Sequence, residues 1–277
     1  MRHHHQKEYR IVLPLLLEPA ALGEHLGDEN ILIIDLCNTE LYQQVHLPGA
    51  IHVTPQELVS GIAPAVGKLP SLARLQAFFN RIGYDSDKHI IVYDDEGGGW
   101  AGRFIWTLDV IGHDKMSYLD GGMHAWLAEK LPVSNEINET TPTNINLTID
   151  HAYIASQQDI LDSLDKHDTD IWDARSALEY TGQRQSSARS GHIPGAINLD
   201  WMDTMDRARN FRIRADIKQV LASHGISGNK PIITHCQTHH RSGLTYLIGK
   251  ILGFDIRAYD GSWAEWGNDP TTPIETS

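Results

Sequence analysis

The sequence predicts an α/β protein built from two tandem copies of one fold, each a mainly parallel sheet flanked by helices. Short apolar runs alternate with helical patterns along the chain, which is typical of a parallel sheet covered on both faces. Four short motifs also occur twice, in the same order in each half. A chain of 277 residues is long enough for two domains of ordinary size.

The internal repeat sets the domain organisation. The matched segments are Ile33–Leu36 with Ile171–Ala174, His46–Ile51 with His192–Ile197, Ile91–Tyr93 with Ile232–Thr234, and Leu119–Gly122 with Tyr259–Ser262. Between the copies, residues 132–146 have no hydrophobic period and are rich in Asn, Thr and Glu, as in a linker. We therefore predict a first domain at 11–132, a linker at 133–146 and a second domain at 147–277.

The period of the apolar residues predicts the main elements of each copy. The predicted strands are Ile31–Leu36, Ile90–Tyr93 and Met116–Leu119 in the first copy, and Asp170–Trp172, Ile232–Thr234 and Ile256–Tyr259 in the second. The predicted helices are Ser71–Ile82, Arg103–Ile111, Ala215–His224 and Gly243–Leu252. In open parallel sheets ligands bind at the carboxyl ends of strands, so the segments that follow these strands are where a site is expected.

Composition limits the partners and the compartment. A net charge of -13 argues against non-specific binding to nucleic acid or to an anionic membrane. The two cysteines, Cys37 and Cys236, are too few for a disulfide framework, which favours a reducing cytoplasm. The apolar stretch Ile11–Leu17 is broken by Pro14 and is too short for a signal peptide core or a membrane span.

The stretch from Pro231 to Gly243 carries the strongest chemical signal. Cys236 follows a predicted buried strand and precedes a predicted helix, whose free N–H groups and dipole stabilise a thiolate. Arg241 adds a permanent cation, and no acidic residue lies between Pro231 and Lys250. The pattern predicts a loop that binds anions around a reactive sulfur.

Loop length separates two chemistries. The loop resembles that of cysteine-dependent phosphatases, but those place five residues between the cysteine and the arginine, and here four intervene. The smaller ring suits a single sulfur atom on the cysteine better than a phosphoryl group. The run Cys-Gln-Thr-His-His-Arg-Ser at 236–242 is similar to the active-site loop of the rhodanese family, in a form typical of a bacterial subgroup with tandem domains.

The resemblance implies a thiosulfate sulfurtransferase that works through a persulfide on Cys236, with no cofactor and no metal. The donor is thiosulfate or a similar small molecule, and the acceptor is cyanide, a thiol or a protein. The loop residues expected to bind the substrate are Gln237, Thr238, His239, His240, Arg241 and Ser242. The alternative is a carrier that delivers the persulfide sulfur to a protein partner. A soft-metal site at His235, Cys236, His239 and His240 is a minor alternative.

The first copy serves as an internal control. Aligning Gly112 with Gly253 gives an offset of 141 and places Asp95 opposite Cys236. The first copy thus has carboxylates where the second has a thiol, so we expect it to form no persulfide and to hold no anion. Tandem members of the family likewise have an inactive first domain.

Several other residues have structural interpretations. We expect Cys37 to be an ordinary buried cysteine, His192 to bond backbone, and Asp173 and Arg175 to form a scaffold ion pair. Trp201 is a candidate wall of the site. The arginines that follow it are expected to form a solvated basic loop or to steer an anionic donor; they are Arg207, Arg209, Arg212 and Arg214. Many two-domain relatives carry a substrate-binding Arg where this chain has Glu179, which argues against a large carboxylate donor such as mercaptopyruvate.

Overall fold

The computed structural model describes residues 12–276. Residues 1–11 and Ser277 lie outside the described residues, and with them the predicted start of the first domain at Ile11 and the predicted end of the second at Ser277. The described chain contains two parallel sheets and one small antiparallel hairpin. No helix within residues 12–276 combines the length and the hydropathy needed to cross a membrane.

The first copy holds a five-stranded sheet. Its strands are β1 (Leu16–Leu17), β2 (Ile31–Asp35), β3 (Ile51–His52), β4 (His89–Tyr93) and β5 (Met116–Leu119), in the order β1-β5-β4-β2-β3 and all parallel. Its helices are α1 (Pro19–Gly23), α2 (Thr39–Gln44), α3 (Leu72–Arg81), α4 (Gly99–Val110) and α5 (Gly122–Ala128), with a 3-10 turn at Pro55–Leu58. Every residue of β4 is buried, as expected for a central strand covered on both faces.

The second copy repeats this plan with four parallel strands. They are β6 (Asp170–Asp173), β7 (Ile197–Asn198), β10 (Ile232–His235) and β11 (Ile256–Ala258), in the order β11-β10-β6-β7. Between β7 and β10 lies the hairpin of β8 (Met205–Asp206) and β9 (Arg212–Ile213). The helices are α6 (Gln157–Leu164), α7 (Ala177–Tyr180), α8 (Ile217–Ser223), α9 (Arg241–Ile251) and α10 (Ser262–Trp266), and the 3-10 turns are His151–Tyr153, Trp201–Thr204 and Arg207–Arg209.

All the predicted strands and helices are present, with shifted ends. The largest shift is at α4, which begins at Gly99, four residues before the predicted start at Arg103. Gly98 precedes it with φ 109°, a conformation that glycine adopts without strain, and so lets the loop turn directly into the helix. The short edge strand β1, the hairpin β8–β9 and helices α5 and α10 were not predicted, because each is too short to show a period.

Helices α4 and α9 join the two copies at backbone contact. A Cβ on Gly102 would lie 2.1 Å from the Gly243 carbonyl oxygen, and a Cβ on Gly243 would lie 2.2 Å from that of Gly99. Only glycine at these positions permits such an approach. The largest buried apolar cluster accordingly contains residues of both copies, among them Phe104 on α4 and Leu244 on α9. Because each helix follows the equivalent strand of its copy, this packing brings the two loops before the helices together.

The predicted linker lies against the first copy. Residues 133–146 contain no helix or strand apart from a bridge between Ser134 and His46. The Thr143 N–H bonds the Asn80 carbonyl at 2.9 Å, and the Ile145 N–H bonds the Asn80 side chain at the same distance. The segment is therefore held along α3.

Candidate active site

Cys236 lies where β10 ends and the loop to α9 begins. Its side chain is 1% exposed. The sulfur accepts a hydrogen bond from the His240 N–H at 3.3 Å and another from the Ser242 hydroxyl at 3.4 Å. Helix α9 starts at Arg241, so its first turn adds the positive end of the helix dipole. The loop thus surrounds the sulfur with hydrogen-bond donors, as the sequence predicted; we call this ring of donors the cradle.

The surroundings of Cys236 favour the thiolate. Burial by itself raises the pKa of the thiol, but the charge of Arg241 and the hydrogen bonds from Ser242 outweigh it. The net result is a pKa below the ordinary value of a cysteine. A lowered pKa and two donors at the sulfur are the conditions that activate a cysteine nucleophile.

Arg241 is held by a carboxylate from another element. Its two terminal nitrogens donate to the two oxygens of Glu179, at 2.7 and 3.0 Å. Glu179 lies on α7, where Ser176 fixes it in a capping box. Burial raises the pKa of Glu179, but the hydrogen bond from Arg241 reverses the shift and lowers it. Glu179, which occupies the position of a substrate-binding Arg in many relatives, is therefore the ion-pair partner of Arg241. No local motif predicts this contact.

His239 and Ser242 shape the loop from inside. His239 has φ 54°, and its Nδ1 lies 2.6 Å from the Ser242 hydroxyl. Its ring meets the Trp106 ring edge-on at 4.6 Å. Burial, and next the charge of Arg103, lower the pKa of His239 well below its ordinary value, so the ring is neutral. His239 is thus buried packing within the loop, whereas the sequence suggested a contact with substrate.

His240 lies at the mouth of the site. Its ring stacks on Trp100 of the first copy, with centroids 4.2 Å apart, and Trp201 lies 5.7 Å away on another side. Its Nε2 is 2.5 Å from a carboxylate oxygen of Glu96. The side chains of His240 and Glu96 are about a quarter exposed, at 26% and 28%. Trp201 thus lies beside His240, together with Trp100 and Glu96 from the first copy.

Gln237 and Thr238 face away from the sulfur or contact the first copy. The Gln237 amide bonds the Ser187 hydroxyl at 3.1 Å, and its carbonyl accepts from the Ser186 hydroxyl at 2.7 Å. The Thr238 carbonyl lies so close to Gly67 that a Cβ there would be 1.8 Å away. The Gln237 side chain is therefore engaged by the segment Ser186–Ser187, and the Thr238 backbone packs on the first copy.

The alignment of the two loops needs a correction. The Leu36 N–H bonds the Tyr93 carbonyl just as the Ala174 N–H bonds that of His235. One residue on, the carbonyls of Asp94 and Cys236 accept equivalent bonds from Met123 and Trp263. Asp94, not Asp95, is thus the counterpart of Cys236. The offset derived from the helix ends was wrong at this point, because the loop of the first copy is one residue longer.

The loop of the first copy is occupied by a side chain of its own, that of Asp94. The carboxylate of Asp94 accepts from the N–H groups of Glu96, Gly98 and Ala101 at 2.9–3.1 Å. Burial, and next the charge of Glu96, raise the pKa of Asp94 to about 7. The first copy therefore keeps the ring of N–H donors, and the Asp94 side chain occupies it.

The four residues of the metal alternative do not converge. His235 turns its Nδ1 to the Cys236 carbonyl at 3.0 Å, while His239 bonds Ser242 and His240 bonds Glu96. Burial lowers the pKa of His235, and the Asp173 carboxylate 3.8 Å from its Nε2 opposes that shift. Across residues 12–276 no group of three His, Cys, Asp or Glu side chains is arranged to hold a metal ion.

The residues predicted to be structural are in place. Arg175 pairs with Asp173 at 2.8 Å, also bonds the Gly191 carbonyl, and lies over the Trp263 ring. His192 bonds the Tyr180 carbonyl at 2.7 Å. Burial, and next the charge of Asp35, raise the pKa of Cys37, which makes it an unreactive core thiol.

The basic loop differs from the prediction at one residue. Arg212 is nearly buried and pairs with Glu18 and Glu129 of the first copy, at 3.1 and 2.8 Å. It therefore fastens the hairpin β8–β9 to the first copy and is not a solvated charge. Arg214 does lie at the surface, paired with Asp216.

Fold and site together define a class of protein: a tandem α/β chain with a nucleophilic cysteine on an anion-binding loop of its second copy. The sequence matches the rhodanese-like domain at residues 18–129 and again at 156–269. It is 46% identical to a thiosulfate sulfurtransferase of Pseudomonas aeruginosa, over 95% of this chain and 97% of that protein. It is 47% identical to a thiosulfate sulfurtransferase of Azotobacter vinelandii, with the same coverage.

Structure and more distant sequence comparisons agree. The fold superimposes on the 3-mercaptopyruvate sulfotransferase SseA of Escherichia coli with a TM-score of 0.80, at 25% identity, covering 91% of this chain and 99% of that one. A sulfur carrier protein of Thermus thermophilus is 27% identical over 91% of the chain and 93% of its own length. The chain belongs to the rhodanese family, and its chemistry is sulfur transfer.

Proposed function

We propose that this chain is a thiosulfate sulfurtransferase that carries the transferred sulfur as a persulfide on Cys236. The observation that carries the proposal is the cradle at that sulfur, with two donors, Arg241 nearby and a lowered thiol pKa. The loop residues Gln237 to Ser242 hold the bound anion, mainly through backbone N–H groups and the Ser242 hydroxyl. The identities to two thiosulfate sulfurtransferases support this choice of donor.

In the first half-reaction the Cys236 thiolate attacks the outer sulfur of thiosulfate. A bond forms between the two sulfurs, the bond from the outer sulfur to the sulfonate group breaks, and sulfite leaves with the electron pair. The terminal sulfur of the persulfide keeps one negative charge. The His240 N–H and the Ser242 hydroxyl, which donate to the Cys236 sulfur, stabilise the thiolate that makes this attack.

In the second half-reaction a thiophilic acceptor attacks the terminal sulfur. With cyanide, a carbon–sulfur bond forms, the sulfur–sulfur bond breaks, and thiocyanate leaves while the Cys236 thiolate is restored. A thiol reacts in the same way and becomes the persulfide. No proton or electron has to come from elsewhere, which agrees with a mechanism that uses neither a metal nor a cofactor.

The proposal assigns different roles to the two copies. The second domain, 147–277, is catalytic, and the first, 11–132, supports it, with residues 133–146 as the linker. Asp94 in place of a cysteine supports this division. Two free thiols, Cys37 and Cys236, support a reducing compartment such as the cytoplasm.

Two alanine variants test the proposal. Cys236→Ala abolishes thiocyanate formation from thiosulfate and cyanide, because the persulfide has no sulfur to form on. Cys37→Ala is the matched control and keeps at least half of the wild-type rate, because Cys37 belongs to the core of the first copy. Equal loss in both variants would refute a single-cysteine mechanism and indicate a dithiol one.

A second candidate is the persulfide carrier. The observation that favours it is the similarity to a sulfur carrier protein of Thermus thermophilus, at 27% identity over 91% of this chain. A carrier would turn over slowly with free cyanide and form a specific complex with a protein acceptor. Rapid cyanide turnover at saturating thiosulfate decides for the enzyme.

A further inference from the structure

A buried guanidinium from the first copy lies against the active-site loop. Arg103 on α4 is 0% exposed. One terminal nitrogen donates to the Gly67 carbonyl at 2.6 Å and to the His239 carbonyl at 3.2 Å. The other donates to the Leu58 carbonyl at 2.7 Å. Arg103 therefore joins the segment 58–67 of the first copy to the loop that holds Cys236.

The contact with His239 acts on the peptide group that binds the sulfur. The His239 carbonyl and the His240 N–H belong to one peptide unit, and in a trans peptide they point in opposite directions. Arg103 donates a hydrogen bond to the oxygen of this peptide unit, and the His240 N–H on the opposite side donates to the Cys236 sulfur at 3.3 Å. A charged donor at the oxygen also polarises the peptide, which strengthens the bond that its N–H makes.

The charge of Arg103 has no carboxylate partner. Its three hydrogen-bond acceptors are neutral carbonyls, and its planar group lies 4.8 Å from the Trp106 ring. The other deeply placed arginines differ, since Arg175 pairs with Asp173, Arg212 with Glu18 and Glu129, and Arg241 with Glu179. Among the described residues 12–276, Arg103 is the buried arginine whose cation no ion pair neutralises.

The charged groups around Arg103 and Cys236 come from several elements. Burial lowers the pKa of Arg103 to about 10, while the charges of Asp260 and Cys236 oppose that shift, so the group is a cation at neutral pH. Asp260 accepts from the Leu69 N–H, and burial raises its pKa. The remaining titratable groups near the sulfur are Arg241, Glu179, His235, His239 and His240.

We propose that Arg103, from the copy that lacks the catalytic cysteine, is a positioning residue of the reaction: it orients the His240 N–H toward the sulfur and supplies a cation without an ion-pair partner that stabilises the Cys236 thiolate and persulfide. The inference rests on the proposed role of Cys236. It also gives the first copy a chemical part in the second copy's site.

Alkylation of Cys236 by iodoacetamide across pH tests this, because it reports thiolate formation without turnover. In Arg103→Gln, the midpoint of the alkylation profile rises by about one pH unit or more. Arg103→Lys keeps the charge but loses the planar grip, so its midpoint rises less while its kcat/KM for thiosulfate falls about tenfold. Arg212→Gln, the same change at an arginine that two carboxylates neutralise, leaves the midpoint unchanged.

The outcomes are distinguishable. A folded Arg103→Gln protein with the wild-type midpoint overturns the electrostatic role. If Arg103→Gln lacks the near-ultraviolet circular dichroism of the folded protein, Arg103→Lys decides, and wild-type kcat/KM in that variant overturns the positioning role. Failure of the proposed function looks different, because wild-type protein would then form no thiocyanate while the alkylation profiles still reported on Arg103.

Discussion

At the scale of single residues, charge neutralisation organises the site. Arg241 lowers the pKa of Cys236, yet Glu179 takes both of its terminal nitrogens. His240 is likewise paired with Glu96. The loop contains no acid of its own, as the sequence showed, but the fold brings Glu179 to Arg241 and Glu96 to His240. A dianionic donor therefore meets two carboxylates beside the loop.

Arg241 should nevertheless be essential for fast transfer. Arg241→Ala removes a charge-assisted contact worth about 2 kcal/mol, so we expect roughly a thirtyfold lower rate. It also leaves the buried Glu179 without its ion-pair partner. Steady-state rates at saturating thiosulfate measure the loss, and the double variant Arg241→Ala/Glu179→Gln should recover part of it. A single variant within twofold of wild type would contradict the role of Arg241.

Glu96 should oppose binding of thiosulfate. Glu96→Gln removes a negative charge at the mouth but can still accept the Trp100 N–H bond, so kcat/KM for thiosulfate should rise by about threefold or more. The matched control is Asp95→Asn in the same loop, where the carboxylate accepts from the Asn38 N–H and not from His240. The same variant should show a smaller rise in kcat/KM with an alkyl thiosulfonate as the donor, because that donor carries one negative charge where thiosulfate carries two. Equal gains for both donors, or none, would exclude this electrostatic selection.

The limit of sequence reasoning is visible at this scale. The site was predictable from the sequence in part because three of its residues are close in the chain: Cys236, Arg241 and Ser242. Glu179 lies 62 residues from Arg241, and Arg103 lies 136 residues from His239. No periodicity relates residues so far apart, and Arg103 read only as the start of a helix. The burial of His239 and the contact of His240 with Glu96 could not be predicted from the loop sequence either, because their partners lie far away in the chain.

At the scale of elements, the packing of α4 on α9 fixes the loop. Both helices begin beside glycines in backbone contact, and both follow a loop that cradles an anion, a thiolate in one copy and the Asp94 carboxylate in the other. The sequence predicted the strands, the helices and the repeat well, because these depend on local patterns. The alignment of the two loops from the sequence was wrong by one residue, pairing Asp95 with Cys236 where the structure pairs Asp94. The helix ends used for that alignment do not show where the extra residue of the first loop lies.

The helix contact gives a stability prediction. Gly102→Ala places a Cβ 2.1 Å from the Gly243 carbonyl, which forces the helices apart and should cost about 1–3 kcal/mol of unfolding free energy. Urea denaturation measures it. Gly23→Ala is the control, since its Cβ would meet only a Leu131 methyl at 3.4 Å. If Gly102→Ala were as stable as Gly23→Ala, the close packing would not be required.

At the scale of the whole molecule, the two copies form one unit. They share the largest apolar cluster, and Arg212 ties the hairpin of the second copy to Glu18 and Glu129 of the first. The first copy, which has no cysteine in its equivalent loop, also supplies Trp100, Glu96 and Arg103 to the site. The repeat was evident from the sequence, but the sequence did not show that residues of the first copy contact the active-site loop of the second.

Separation of the copies should therefore abolish function. The fragment 147–277 exposes the face of α9 that α4 covers, so we expect it to lack a cooperative thermal transition and to form no thiocyanate. Coexpression with residues 1–146 should restore both. A fragment 147–277 that folds cooperatively and transfers sulfur at the wild-type rate would show that the first copy is dispensable.

The central claim, a persulfide on Cys236, is tested most directly by mass spectrometry of the intact protein after incubation with thiosulfate. We predict a gain of about 32 Da, one sulfur atom, located by peptide mapping on Cys236 and removed by cyanide with release of thiocyanate. The Cys236→Ala protein should show no gain. A gain on Cys37, or thiocyanate formation by wild-type protein without any sulfur adduct, would contradict the account.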